Sequence, residues 1–333
     1  MKQRKIIFFW CLYFLLIGNC NVFAQKRANN YITGQYYHKI AQAQLHLLEG
    51  NEKECYEILH NVSKQHRLLN VPTRNELYQY LRLSLKYKEY THVYDCMYEL
   101  ITVYGYKLDD FEYLMNFQKM KRKTNWKELK GKLLAAESSF VSDTALVQEF
   151  QQMLEDDQYY RVNNYGRIKA LIKQDSTDPY HHDLSSFYNS SYMSLVDSIN
   201  NINYNKILHI IETKGFPLSR SVKLTHFERD GIFSNLTVLF IHFIDSSQAN
   251  YLKPILLKYI EQGDCPPEMI AFLFDNWQNV NGYPPYRMFT NVIPLPERIP
   301  DYKELEERRR EIGLPSYEIS RKIIIQKREK YSQ

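Results

Sequence analysis

Two charged residues one helical turn apart close the stretch EDDQYYR at residues 155–161. Asp157 can accept a proton as a general base, Arg161 can bind an anion, and Gln158 can donate or accept a hydrogen bond. The preceding residues form an apolar stripe at helical spacing, made by Leu146, Phe150, Met153 and Leu154. Continuing the stripe by three and four residues reaches Asp157 and Arg161. The sequence therefore predicts that the pair extends a buried face, where both charges need partners or nearby water; a surface ion pair is the alternative.

Two further titratable residues interrupt strongly apolar stretches. His242 stands in VLFIHF and Asp275 follows AFLF, so we expect both to be buried. A lone histidine in such a run is more often a hydrogen-bonded core residue than a catalyst, and Asp275 fits a carboxylate at a helix end. The alternative is an acid–base site, with Asp157 or Asp275 as the base and His242 as the proton shuttle. The candidate catalytic residues are Asp157, His242 and Asp275.

A third set of charges lies in EERRREIG, residues 306–313, within a helix predicted from Asp301 to Ile312, with Asp301 and Glu304 as its capping box. Arg308 is spaced to pair with Glu304 on the surface, whereas Arg309 shares its helix face with Leu305 and Ile312. We therefore expect Arg309 to point inward, where its planar fork suits a carboxylate. The candidate binding residues are Gln158, Arg161, Arg308 and Arg309.

Sequence motifs typical of metal or cofactor sites are missing from the sequence. His181 and His182 have Asp178 and Asp183 nearby, but adjacent histidines on a strand or loop point apart and no second cluster follows at ligand spacing. The chain also lacks a phosphate-binding glycine loop, a zinc-protease helix motif and a nucleophile elbow. We predict no metal and no cofactor, and an interaction protein is favoured over a recognisable enzyme.

The N-terminus carries an export signature. Lys2, Arg4 and Lys5 precede an apolar run, and small or polar residues lead to Ala24. This order predicts a signal peptide over residues 1–24 and a protein of the periplasm or cell envelope. An uncleaved anchor and lipidation of Cys20 are the alternatives, and no membrane-spanning helix is expected after cleavage. Loss of the three basic residues lowers the formal net charge from +5 to +2, a balance that does not favour nucleic-acid binding.

The three cysteines beyond that signal are an odd number for an oxidising compartment. At least one of Cys55, Cys96 and Cys265 must therefore stay unpaired. A bridge between Cys55 and Cys96 is disfavoured, because the predicted helix register places them one turn out of step.

The chain is predicted to be all-α, with tetratricopeptide-like helical hairpins over residues 25–125 and a compact helical domain over 140–316. Apolar residues recur 38 positions apart, where Leu45, Leu47, Tyr56, Leu59 and Val62 fall on Leu83, Leu85, Tyr94, Met97 and Leu100. We expect a long loop over residues 174–191, and a basic C-terminal tail over 317–333. The basic run at 119–132 marks the domain boundary and is either a solvated junction or a contact with an anionic envelope component.

Tyrosine is unusually abundant, with 28 residues in 333. Its large ring and polar tip are enriched at interfaces, although Tyr can equally pack helical hairpins. The composition and the hairpins together predict a module that binds a protein partner in the envelope. The rival hypothesis is a hydrolase or small-ligand site in the second domain.

Five stretches in the second half resemble a known family. EDDQYYR, IIETKGFP, VLFIHF, AFLFDNW and EERRREIGLPS occur in an order and spacing similar to a bacterial family named domain of unknown function 6624. The resemblance covers residues 146–316 and implies that the matching polar residues form one set. The residues it carries over are Asp157, Gln158, Arg161, Gly215, Pro217, His242, Asp275, Arg308, Arg309 and Gly313.

Overall fold

The computed structural model describes residues 30–72, 74–159, 161, 181–243, 246–279, 285–287 and 295–331. Side chains at 181–193, 246, 276–279, 298 and 331 are outside this description. Within these ranges the regular structure is helical and contains no β-strand, so the predicted all-α class is confirmed. The predicted signal peptide and Cys20 lie outside the described residues.

The helices are numbered in chain order over the described ranges. They are α1 Tyr37–Leu48, α2 Glu52–Gln65, α3 Glu76–Tyr87, α4 Val93–Tyr104, α5 Phe117–Lys123, α6 Trp126–Ser138, α7 Thr144–Gln158, α8 His181–Lys214, α9 His226–His242, α10 Ser246–Gln262, α11 Glu268–Asn279, α12 Tyr302–Glu311 and α13 Tyr317–Tyr331. A π-helical turn at Ile32–Tyr36 precedes α1, and short 3-10 helices occupy Leu108–Phe111 and Pro296–Arg298.

Contacts group the chain into two compact units. The first contains residues up to Leu68, Leu257–Gly263 and the residues from Thr290 onward; the second contains Leu69–Leu256 and Asp264–Phe289. Helical hairpins occur at the predicted positions, α1 with α2 in the first unit and α3 with α4 in the second. That they form a repeat array, and that 25–125 and 140–316 are domains, stay predictions.

In the first unit, α13 packs against α1 and a buried arginine fixes the turn before α13. Arg309 is fully buried, as predicted. Its Nε donates to the carbonyl oxygen of Pro315 at 2.9 Å, and its Nη2 donates to Ser320 Oγ at 2.6 Å. Gly313 ends the preceding helix at φ +84°, and a Cβ there would come within 3.1 Å of Thr33 Cα, so both conformation and space require glycine.

In the second unit, a buried arginine fixes the start of α9. Arg229 donates from Nη1 to the carbonyl oxygen of Leu218 at 2.6 Å and from Nη2 to that of Val222 at 2.7 Å. Thr225 and Glu228 form a capping box at the same helix end, in which each side chain binds the backbone N–H of the other residue. The α9 helix then packs against both α7 and α11.

Three local expectations were wrong. The long loop was predicted to reach residue 191, but α8 begins at His181. The tail was not predicted to be helical, yet 317–331 form α13, whose Tyr317 and Ile323 are buried; the many charges between its apolar residues hid this pattern. Asp301 does not cap α12 with its side chain, because its carboxylate instead accepts a hydrogen bond from Arg308 at 2.6 Å.

The three described cysteines, Cys55, Cys96 and Cys265, are buried and form no disulfide with one another. Burial raises the pKa of Cys96 to about 12 and that of Cys265 well above its usual value, so both stay as unreactive thiols in the folded protein. The bridge between Cys55 and Cys96, which the predicted helix register disfavoured, is not formed. Across the described residues, no helix combines the length and apolar character needed to cross a membrane.

Candidate functional site

The site begins at the C-terminal end of α7. Asp143 caps this helix, as its Oδ1 accepts a hydrogen bond from the backbone N–H of Leu146 at 3.0 Å. Three of the four residues of the apolar stripe, Leu146, Phe150 and Met153, are inaccessible to solvent as predicted, whereas Leu154 is only partly buried. Asp157 continues the stripe and is 1% exposed. The sequence thus carries a carboxylate into an apolar interface, where its charge must be compensated.

Three side chains converge on the Asp157 carboxylate. Arg161 donates from Nε to Oδ1 at 2.9 Å, and Gln158 donates from Nε2 to Oδ2 at 2.9 Å. His242 Nδ1 lies 2.9 Å from the same Oδ2. The two atoms approach closely, although the ring nitrogen is not aligned for a hydrogen bond. We call these four residues the Asp157 site.

The position of His242 differs from its prediction. We expected full burial from the apolar run, but the side chain is 21% exposed because α9 ends at this residue. The Arg161 side chain is 20% exposed. His242 and Arg161 therefore both contact the buried Asp157 carboxylate while part of each side chain is exposed to solvent.

Two asparagines on α8 complete the surroundings of the site, and sequence reasoning missed both. Arg161 Nη2 donates to Asn200 Oδ1 at 2.5 Å. Asn203, one turn further along α8, donates to the carbonyl oxygen of Met153 at 3.4 Å, and its own Oδ1 has no hydrogen-bond partner among the described residues. A signal was present, because Asn200 and Asn203 stand between buried Val196 and Ile207 at helical spacing.

The electrostatics favour an ionised Asp157. Burial alone would raise the pKa of this carboxyl, but the contacts with His242 and Arg161 outweigh burial and hold the pKa below its usual value. The site therefore carries one negative charge against the guanidinium of Arg161. Its net charge is zero with a neutral His242 and +1 with a protonated one.

The other candidate residues have different partners. Asp275 is fully buried on α11, and its Oδ1 accepts a hydrogen bond from the backbone N–H of Tyr286 at 2.7 Å, so it fixes the segment 285–287. Asp275 is not among the groups that contact Asp157. Arg308 and Arg309 belong to the first unit, where Arg308 pairs with Asp301 and Glu304.

The described residues contain no group of His, Cys, Asp and Glu side chains arranged to hold a metal ion. The His181 and His182 side chains are outside the described residues. The Asp157 site itself offers one carboxylate, one imidazole and one guanidinium. This set can bind an anion and exchange a proton with it.

Comparison with protein-family models, curated proteins and solved structures found no match to this chain. The resemblance to domain of unknown function 6624 therefore stays a prediction.

We expect the Asp157 site to stabilise the fold in a pH-dependent way. An unfolded Asp has a pKa of about 3.9 and the folded value is lower, so the stabilisation is complete above that pKa and is lost as the pH falls through the folded value. Asp157→Asn should lower the free energy of unfolding by about 1–3 kcal/mol at neutral pH. Urea titrations at pH 7 and about pH 3 measure this difference, which should shrink in acid.

The matched control is Asp301→Asn, because the Asp301–Arg308 pair is about one-third exposed on both sides. Its effect should stay below about 1 kcal/mol at pH 7. An Asp157→Asn penalty that is equal at the two pH values would contradict the assignment of an ionised, compensated carboxylate.

Proposed function

We propose that the Asp157 site binds a small anionic ligand and that His242 exchanges a proton with it. One observation supports this proposal. The side chains of His242 and Arg161 both contact the buried Asp157 carboxylate, and both are partly exposed to solvent. Two members of the polar set suggested by the sequence, Arg161 and His242, each lie 2.9 Å from a third, Asp157, while Asp275 and Arg309 make other contacts.

The carboxylate supports this function by fixing both functional groups. A buried Asp that contacts Nδ1 of an imidazole restricts the ring and stabilises the cation formed when the ring takes up a proton. The Arg161 fork is held at Nε by Asp157 and at Nη2 by Asn200. A prepositioned guanidinium loses little entropy when it binds a carboxylate or phosphate group.

Hydrolysis is the reaction class that this arrangement suits best. His242 would accept a proton from water, and Arg161 would bind the anionic group or the negative charge that develops on an oxygen atom. We further propose that the protein acts in the periplasm or envelope, because its N-terminal sequence is typical of a signal peptide. We also propose that it belongs to the family named domain of unknown function 6624, because five stretches of its sequence resemble that family.

Isothermal titration calorimetry with inorganic phosphate, sulfate and acetate tests anion binding directly. We expect at least one of these anions to bind, and Arg161→Gln to weaken that binding by at least about tenfold through loss of a charged hydrogen bond. Arg308→Gln is the matched control, because Arg308 is also an ion-paired helical arginine but lies in the other unit. Undetectable binding of all three anions, or equal losses in the two variants, would contradict the proposal.

A protein-binding role is the second candidate, supported by an aromatic cluster in the second unit. Tyr78 stacks on Tyr106 at 5.5 Å between ring centroids, and Tyr106 stacks on His226 at 3.9 Å. The cluster ends in two rings that are largely open to solvent, Tyr113 at 74% and Phe227 at 76% exposure. Tyr113 joins it through a 2.8 Å hydrogen bond with the Tyr78 hydroxyl. Exposed aromatic rings on a rigid base are typical of interface anchors.

The double change Tyr113→Ser with Phe227→Ser tests this role in capture from envelope extracts. We expect it to remove the proteins that the unaltered chain retains, because the two exposed anchors are lost. Tyr159→Ser with Tyr251→Ser is the control, since these tyrosines are also exposed but are not part of the cluster. Retention of every partner by the cluster variant would end the hypothesis.

A further inference from the structure

The positive charge of the chain is concentrated in one segment. Residues 112–132 carry seven basic and two acidic side chains, a net charge of +5 that equals the formal net charge of the entire chain. Both acids are already paired, Glu112 with Lys121 at 2.5 Å and Glu128 with Lys132 at 2.7 Å. Five cations remain, all exposed and without an acidic partner in the described parts of the chain. We call them the basic face: Lys119, Arg122, Lys123, Lys127 and Lys130.

The helices present these cations on their solvent sides. On α5, Lys119, Arg122 and Lys123 follow the spacing that places residues on one helix face, while Phe117 and Met120 are buried. Lys121 reaches from α5 to within 5.2 Å of the Trp126 ring centroid at the start of α6, which ties the two helices together. The exposed cations of α5 therefore belong to a helix that is held in place by its buried residues and by its contact with α6.

The α6 helix adds an apolar residue to this surface. Lys127, Lys130 and Leu134 are spaced by three and four residues and so share one face, while Leu133 is buried. Leu134 is 43% exposed. A leucine in line with lysines adds nothing to the binding of a soluble polyanion, but it can enter the boundary between lipid headgroups and acyl chains.

We propose that the basic face docks the protein on an anionic lipid surface. Like-charged side chains without acidic partners repel one another, and a layer of phosphate headgroups relieves this repulsion while each cation adds to the attraction. The basic face shares no residue with the Asp157 site and binds a different partner. Of the two alternatives for the basic run at 119–132, it is then a membrane contact and not a solvated junction.

Cosedimentation of the mature chain with lipid vesicles tests the proposal. We expect binding to vesicles made of equal parts phosphatidylcholine and phosphatidylglycerol, little binding to pure phosphatidylcholine, and weakening as the salt concentration rises. Replacing all five cations of the basic face with Gln should lower the partition coefficient by at least about tenfold. Leu134→Ser should weaken the binding that persists at high salt.

A matched variant separates a local surface from a general effect of charge. It replaces five exposed cations of the first unit with Gln: Lys53, Lys64, Lys258, Lys303 and Arg310. This variant has the same net charge as the first and should keep its vesicle binding. The proposal is overturned if the anionic vesicles do not bind, if both variants lose binding equally, or if soluble dextran sulfate competes away the vesicles and Leu134→Ser has no effect.

Discussion

A buried carboxylate that must be compensated is the constraint around which the second unit is arranged. Asp157 is carried into an apolar interface by the stripe of its own helix, and an isolated charge there would cost several kcal/mol. The compensating groups come from α7 and, through His242, from α9. Arg161 in turn joins Asn200 on α8. One charge thereby ties three helices that also contact one another through apolar residues.

The same constraint is the reason why we propose a chemical role for this site. An apolar interface needs no carboxylate for stability, and a hydrophobic pair of similar volume is often as stable. A charged cluster that an apolar pair could replace, and that orients a partly exposed imidazole and guanidinium, supports the functional role that we propose. The buried arginines elsewhere are arranged differently, because Arg229 and Arg309 bind backbone carbonyl oxygens and thereby fix turns. Because they bind the backbone, we interpret Arg229 and Arg309 as structural residues.

The sequence predicted what depends on periodicity. The all-α class, the burial of Asp157 and the inward Arg309 all follow from apolar spacing. Other features depend on packing. His242 is partly exposed because its helix ends there, and Asn200 and Asn203 are buried polar members of an otherwise apolar stripe whose partners only the packing reveals. The C-terminal helix α13 was hidden because its charged residues outnumber its buried ones.

A double-mutant cycle tests the central claim that Asp157 and His242 act as a pair. The free energy of unfolding is measured at pH 7 for the unaltered chain, Asp157→Asn, His242→Phe and the double variant. We predict a coupling energy of about 0.5–3 kcal/mol, because each single change removes the same contact. Additive effects, with no coupling beyond error, would contradict the account and leave the 2.9 Å approach without an energetic role.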